Sequence, residues 1–168
     1  MIVGEAPGEY EVMLGKPFVG PSGQELDRML HDAGLLRSEC FVTNVCRERP
    51  ANNDIKSFFV RTKKRPGDEW HPYLGGWARS PVVQGAELLL KEIAAVQPEI
   101  IIPVGNLALL ATTGKWGIGN WRGSMFRLEG RLALPTYHPA AVLRQWSLRP
   151  YVVSDLRRVK ARLDCPNV

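Results

Sequence analysis

The sequence predicts an α/β fold: a single-domain three-layer sandwich around a central, mostly parallel sheet of four strands. Three observations carry that expectation. Short apolar runs recur along the chain, and each ends in a polar or glycine-bearing turn before residues with helical apolar spacing. The run Ile100-Ile101-Ile102-Pro103-Val104 is continuously apolar, as a strand buried on both faces should be. No repeat or linker divides the 168 residues, a length that suits one domain (1–168) with a real core.

The first strand runs from Met1 into Gly4, and a long turn rich in glycine and proline follows to Gly20. Glycine permits positive φ and proline fixes φ, so such a turn can be stiff. Leu26, Met29, Leu30 and Ala33 then predict a helix, with Ser22 as N-cap and Gly34 as its stop. Cys40 to Thr43 reads as the second strand, ending at Asn44. Residues from about 54 to 81 read as an irregular insert, in which the basic run Arg61-Thr62-Lys63-Lys64-Arg65 precedes Trp70, His71, Tyr73 and Trp77. Basic and aromatic residues interleaved suit single-stranded or distorted nucleic acid. A solvated charge run beside a small aromatic cluster is the plainer alternative. A helix is predicted from Gln84 to Val96, the third strand over Ile100–Val104, and a helix from Gly105 to about Ala111. Met125–Leu128 and Arg131–Thr136 predict a hairpin around Glu129-Gly130, and Tyr151–Leu163 a last helix. The alternation of strands and helices implies parallel pairing with helices on both faces.

The net charge of +5 is compatible with a polyanionic partner. The three cysteines form no CxxC, which argues against a disulfide framework and against a four-cysteine metal site made by this chain alone. No signal peptide or apolar run of membrane-spanning length is present, so a cytoplasmic protein, working as a monomer without membrane contact, is expected.

In an open parallel sheet, ligands sit beyond the carboxyl ends of the strands. Three polar residues fall there: Glu5, Asn44 and His138. An asparagine amide carries a donor and an acceptor side by side. It can read O4 and N3–H of a uracil, while Phe18 stacks on the flat face. His138, followed by a restraining proline, can donate to negative charge developing on O2, and Glu5 can orient water or stabilise a sugar cation. Each residue alone has a bland reading. A strand-end asparagine is usually a cap, a lone histidine usually structural, and Phe18 can belong to the core.

The motifs Gly4-Glu5-Ala6-Pro7-Gly8 with Pro17-Phe18-Val19-Gly20, Thr43-Asn44-Val45, and His138-Pro139-Ala140-Ala141-Val142-Leu143-Arg144 occur in this order. In this the chain resembles the uracil-DNA glycosylase superfamily, nearest to its family 4. The resemblance covers nearly the whole sequence. It implies a monofunctional DNA glycosylase that flips a uracil out of DNA and hydrolyses its N-glycosidic bond, leaving an abasic site. It implies Glu5 and His138 as catalytic residues, and Ala6, Phe18 and Asn44 as the base pocket. Ser22, Val142, Leu143 and Arg144 would contact DNA, with Val142 or Leu143 as the wedge that fills the gap.

The departures carry expectations too. Family 4 members usually hold an iron–sulfur cluster on four cysteines. Two of those positions precede the first strand, outside this chain. At the third stands Glu48, and at the fourth Trp70 or His71. No iron–sulfur cluster and no other metal is therefore expected. Val12 replaces the family's usual aspartate, and Ala6 stands where family 1 carries an aspartate. Family 1 excludes the thymine methyl with a tyrosine at the position of Gly8; here the resemblance offers Glu11 for that gate. A covalent-trapping relative's nucleophilic histidine falls at Glu48, so no stable DNA adduct is expected. Two other readings stay open: a glycosylase of the same fold for another modified or deaminated base, and a DNA-binding member with weak catalysis. A generic nucleotide-binding domain is disfavoured, because the first turn holds no GxGxxG and no P-loop.

Overall fold

A computed structural model describes residues 1–128 and 130–165. Strand β1 (Ile2–Gly4) leads through helix α1 (Glu9–Leu14) to helix α2 (Pro21–Asp32) and strand β2 (Val42–Asn44). The insert contributes β3 (Phe59–Val60), β4 (His71–Tyr73) and β5 (Gly76–Ala78). Helix α3 (Ser80–Val96), β6 (Ile100–Pro103), α4 (Asn106–Thr113) and α5 (Ile118–Trp121) follow. After them come β7 (Phe126–Leu128), β8 (Arg131–Ala133), α6 (Pro139–Arg144) and α7 (Arg149–Asp164).

The central sheet has the order β2-β1-β6-β8-β7. Its first four strands pair in parallel, and β7 lies antiparallel on the edge. The expected four-stranded sheet thus has a fifth strand. Once β8 docks on β6, the hairpin carries β7 alongside it, with Phe126 opposite Ala133. Of the two residues named for the hairpin turn, Gly130 takes a positive φ of 85° and Glu129 lies outside the described residues.

Side chains alternate across a strand, and the sheet is built on that period. Ile2, Ile100 and Ile102 pack on one face against Leu26, Met29 and Leu30 of α2 and Val152, Leu156 and Val159 of α7. Val3 and Ile101 pack on the other face against Val82 and Leu89 of α3 and Leu107 and Leu110 of α4. The two apolar clusters make three layers of the chain.

Three local expectations shift. The insert is not irregular throughout, since β3, β5 and β4 form a small antiparallel sheet. Its strands have two or three residues, too few for alternation to show in sequence. Helix α2 is capped by Gly20 and starts at Pro21, so Ser22 sits inside the first turn. Proline suits that first position because its missing N–H would have had no partner there. Helix α1 occupies part of the turn after β1; it buries no residue and so shows no apolar stripe.

Two buried carboxylates anchor α7. Asp155, 1% exposed, accepts from Thr136 Oγ1 at 2.7 Å and from Arg122 Nε at 2.9 Å. Glu25 of α2, fully buried, accepts from Arg149 Nε at 2.7 Å. Breaking such a pair leaves an uncompensated buried charge, which costs about 3–5 kcal/mol. The first anchor holds Thr136 at the end of the strand segment that delivers His138.

Candidate active site

The carboxyl ends of β1 and β2 and the start of α6 open into a cleft of about 660 Å³. Glu5, Ala6, Phe18, Ser22, Asn44, His138 and Arg144 all line it. Seven of the residues singled out from sequence therefore meet in one place.

Asn44 ends β2, opposite Gly4 of β1, and is 6% exposed. Its Oδ1 is buried without a hydrogen-bond partner. A buried acceptor left unpaired costs about 1–3 kcal/mol, so a native fold that keeps one has a reason outside the folded chain. The amide is free to read a ligand edge.

Phe18 is also 6% exposed and takes a φ of 53°, the left-handed region a phenylalanine rarely enters. Such a conformation costs on the order of 1–3 kcal/mol and persists only when its surroundings impose it. The brace is Glu11. Its Oε1 accepts the N–H groups of Val19 at 2.9 Å and Gly20 at 2.8 Å, and its Oε2 accepts that of Gly8 at 3.1 Å. Both oxygens are occupied by the turn that carries Phe18. Val12, beside it, points to solvent. The ring of Phe18 lies 5.6 Å from that of His138, tilted by 33°.

Gly4 explains how these groups come so close. A Cβ there would stand 2.3 Å from Asn44 Oδ1 and 2.5 Å from Phe18 Cζ. Only a glycine floor leaves room for both.

His138 caps α6, and its Nδ1 accepts the N–H of Ala140 at 3.0 Å. An accepting Nδ1 puts the proton on Nε2, so the neutral ring presents a donor. Burial pushes its pKa below the ordinary 6.5, with Arg144 pushing the same way and Glu5 and Glu11 opposing. Glu5 follows β1, and its Oε1 accepts the N–H of Leu107 in the first turn of α4 at 2.9 Å. Gly105 makes that contact fit: its φ is 96°, and a Cβ there would lie 2.7 Å from Glu5 Oε1. A buried amide, a stacking face, a neutral donor and a carboxylate thus share one cleft, an arrangement that can hold a pyrimidine and stabilise its departure as an anion.

Burial separates the two wedge candidates. Val142 is 0% exposed and belongs to the core beside α2. Leu143 is 45% exposed, and Arg144 beside it is exposed. Neighbouring helix residues point about 100° apart, so α6 can bury one and present the other. Sequence reasoning missed Glu11 as a brace, the Leu107 contact, and a wall made by Asn53, Asp54 and Ile55 at the start of the insert. The three backbone contacts of Glu11 and the reach from Leu107 to Glu5 leave no periodic trace in the chain.

The residues present do not fit a four-cysteine cluster. Cys40 and Cys46 flank β2 at opposite ends, and Cys165 follows α7. Burial, with help from Glu5 and Glu48, pushes the Cys46 thiol up to about 12. Burial also raises the Cys40 thiol. Among the described residues, no three His, Cys, Asp or Glu side chains are grouped to hold a metal ion.

Residues 1–160 match the Uracil DNA glycosylase superfamily. A type-4 uracil-DNA glycosylase of Pyrobaculum aerophilum is 36% identical, over 93% of this chain and 74% of its own length. Proteins of the same name from Saccharolobus solfataricus and Thermotoga maritima are 32% and 31% identical, over 97% and 96% of this chain and 70% and 76% of theirs. By its matched residues and by these relatives, the chain belongs to the uracil-DNA glycosylase superfamily.

Proposed function

We propose that this protein hydrolyses the N-glycosidic bond of uracil in DNA, acting on a nucleotide turned out of the stack and leaving an abasic site. The unpaired buried Oδ1 of Asn44, which comes together with the Phe18 ring over Gly4, carries the reading. Uracil's O4 and N3–H complement that amide, and Phe18, with Ala6 beside it, bounds the flat face. As the bond breaks, charge moves onto the base, and the Nε2–H of His138 donates to O2. Glu5, held by Leu107, stabilises the cationic sugar and orients the attacking water. The released base leaves as an anion, water supplies the hydroxyl at the sugar carbon, and the water's remaining proton passes to solvent, from which the uracil anion is reprotonated. Leu143 enters the gap in the strand, while Ser22 and Arg144 contact the DNA backbone. The reaction uses no iron–sulfur cluster, because Glu48 and Trp70 or His71 stand where the in-chain cysteine ligands would be. In this reading the protein works as a monomer in the cytoplasm.

The test is single-turnover base release from single- and double-stranded oligonucleotides bearing uracil, read as alkali-labile cleavage. The panel includes thymine and deaminated purines. Release of uracil alone is the expected result. Release of another base instead, or binding with no release, would refute the reading.

Gly4→Ala checks the pocket floor. The added methyl would displace Phe18 and Asn44 by an ångström or so. The expected result is an intact fold by circular dichroism and a loss of about a hundredfold in kcat/KM, the scale set by such misplacements.

A further inference from the structure

A second cavity of about 430 Å³ lies against the cleft and shares Glu5 and Ile55 with it. Phe59 and Trp116 form an aromatic wall, with ring centroids 5.4 Å apart. The guanidinium of Arg61 sits 5.3 Å from the centre of the Trp116 ring. Lys56 and Arg61 bring two positive charges to the lining, and Glu5 is its one acid. Phe59 is buried and fixed, whereas Trp116 is 36% exposed.

We propose that this cavity is a subsite for the nucleobase adjacent to the excised one, held on Trp116, with its phosphate on Arg61 and Lys56. The inference rests on the glycosylase reading of the neighbouring cleft. Glu5 lines both cavities and makes them neighbours, so a strand that delivers one base to the cleft carries the next base past the second cavity. The chemistry of the lining selects a base face over a base edge. Asn106, the one amide there, already accepts the Ile118 N–H at 2.8 Å through its Oδ1. Stacking on an aromatic ring needs no such reader and accepts any base. A base stacked there has left the duplex stack, so the subsite favours single-stranded or locally opened DNA. Part of the basic and aromatic insert thereby acquires a role, through Arg61 and Phe59.

The test uses single-stranded oligonucleotides with a central 2′-fluorinated deoxyuridine, whose electron-withdrawing fluorine disfavours the sugar cation and blocks cleavage. One carries bases throughout; two others carry a base-less sugar on the 5′ or the 3′ side of the uridine. Affinity is read by fluorescence anisotropy. Trp116→Ala is expected to lose about tenfold on the fully based strand. On one of the base-less strands it should lose nothing, and Trp116→Phe should restore most of the affinity. Arg61→Gln should lower the slope of log affinity against log salt by about 0.7, one phosphate contact on a single strand. An equal Trp116→Ala loss on all three strands, or no loss on any, overturns the subsite. Unchanged salt dependence in Arg61→Gln overturns its phosphate contact. Uracil release by the wild-type protein is measured alongside. Absence of release would defeat the glycosylase reading, while the binding arms still decide the subsite.

Discussion

Asn44→Ala is expected to remove uracil recognition and lower kcat/KM for base release by a hundredfold or more. If Asn44 reads the uracil edge as proposed, the substitution deletes both of its partners. The base then enters the cleft with O4 and N3–H unsatisfied, a loss of about 3 kcal/mol, on the order of a hundredfold. Stability should move the other way or stay level, because Asn44 Oδ1 has no partner inside the protein. Single-turnover kinetics and thermal unfolding on the same variant check both halves. A variant that releases uracil at the wild-type rate would remove Asn44 from recognition.

His138→Ala is expected to slow the chemical step by about two to three orders of magnitude, the usual cost of one oxyanion donor. Substrate binding should change less, since the donor matters most as charge develops on O2. The pH behaviour offers a separate check. The folded pKa of His138 lies below 6.5 because burial penalises the imidazolium. The unfolded chain therefore binds this proton more tightly than the folded one. His138 contributes stability that is fully present above about pH 6.5 and is lost as pH falls through its depressed folded value. Titration of the ring by NMR should show that depressed pKa, with the proton on Nε2 at neutral pH. A ring that titrates at or above 6.5 would contradict the neutral-donor geometry.

These two residues were legible in the chain because each ends an apolar run and opens a turn, where sheets of this kind put their ligands. The strands and helices were legible for a related reason. Ile100–Pro103 and the apolar stripe of α2 bury locally encoded patterns, and short-range periodicity is what a sequence displays openly. Phe18 and Glu5 could be named from the same turn, but not the way they are held.

Tertiary structure alone decided the rest. Packing of α6 on α2 buried Val142 and left Leu143 outside. Glu11 became a brace only when the turn folded back so that three N–H groups met one carboxylate. Docking of β8 on β6 added β7 to the sheet. Arg61 met Trp116, and Leu107 met Glu5, across loops whose closure no local pattern encodes. The amino-acid order determined the elements and the polar groups at their ends, because those follow from neighbours a few residues apart. Which groups face each other, and which face water, depended on contacts between distant segments, whose pairing is chosen by the packed core as a whole.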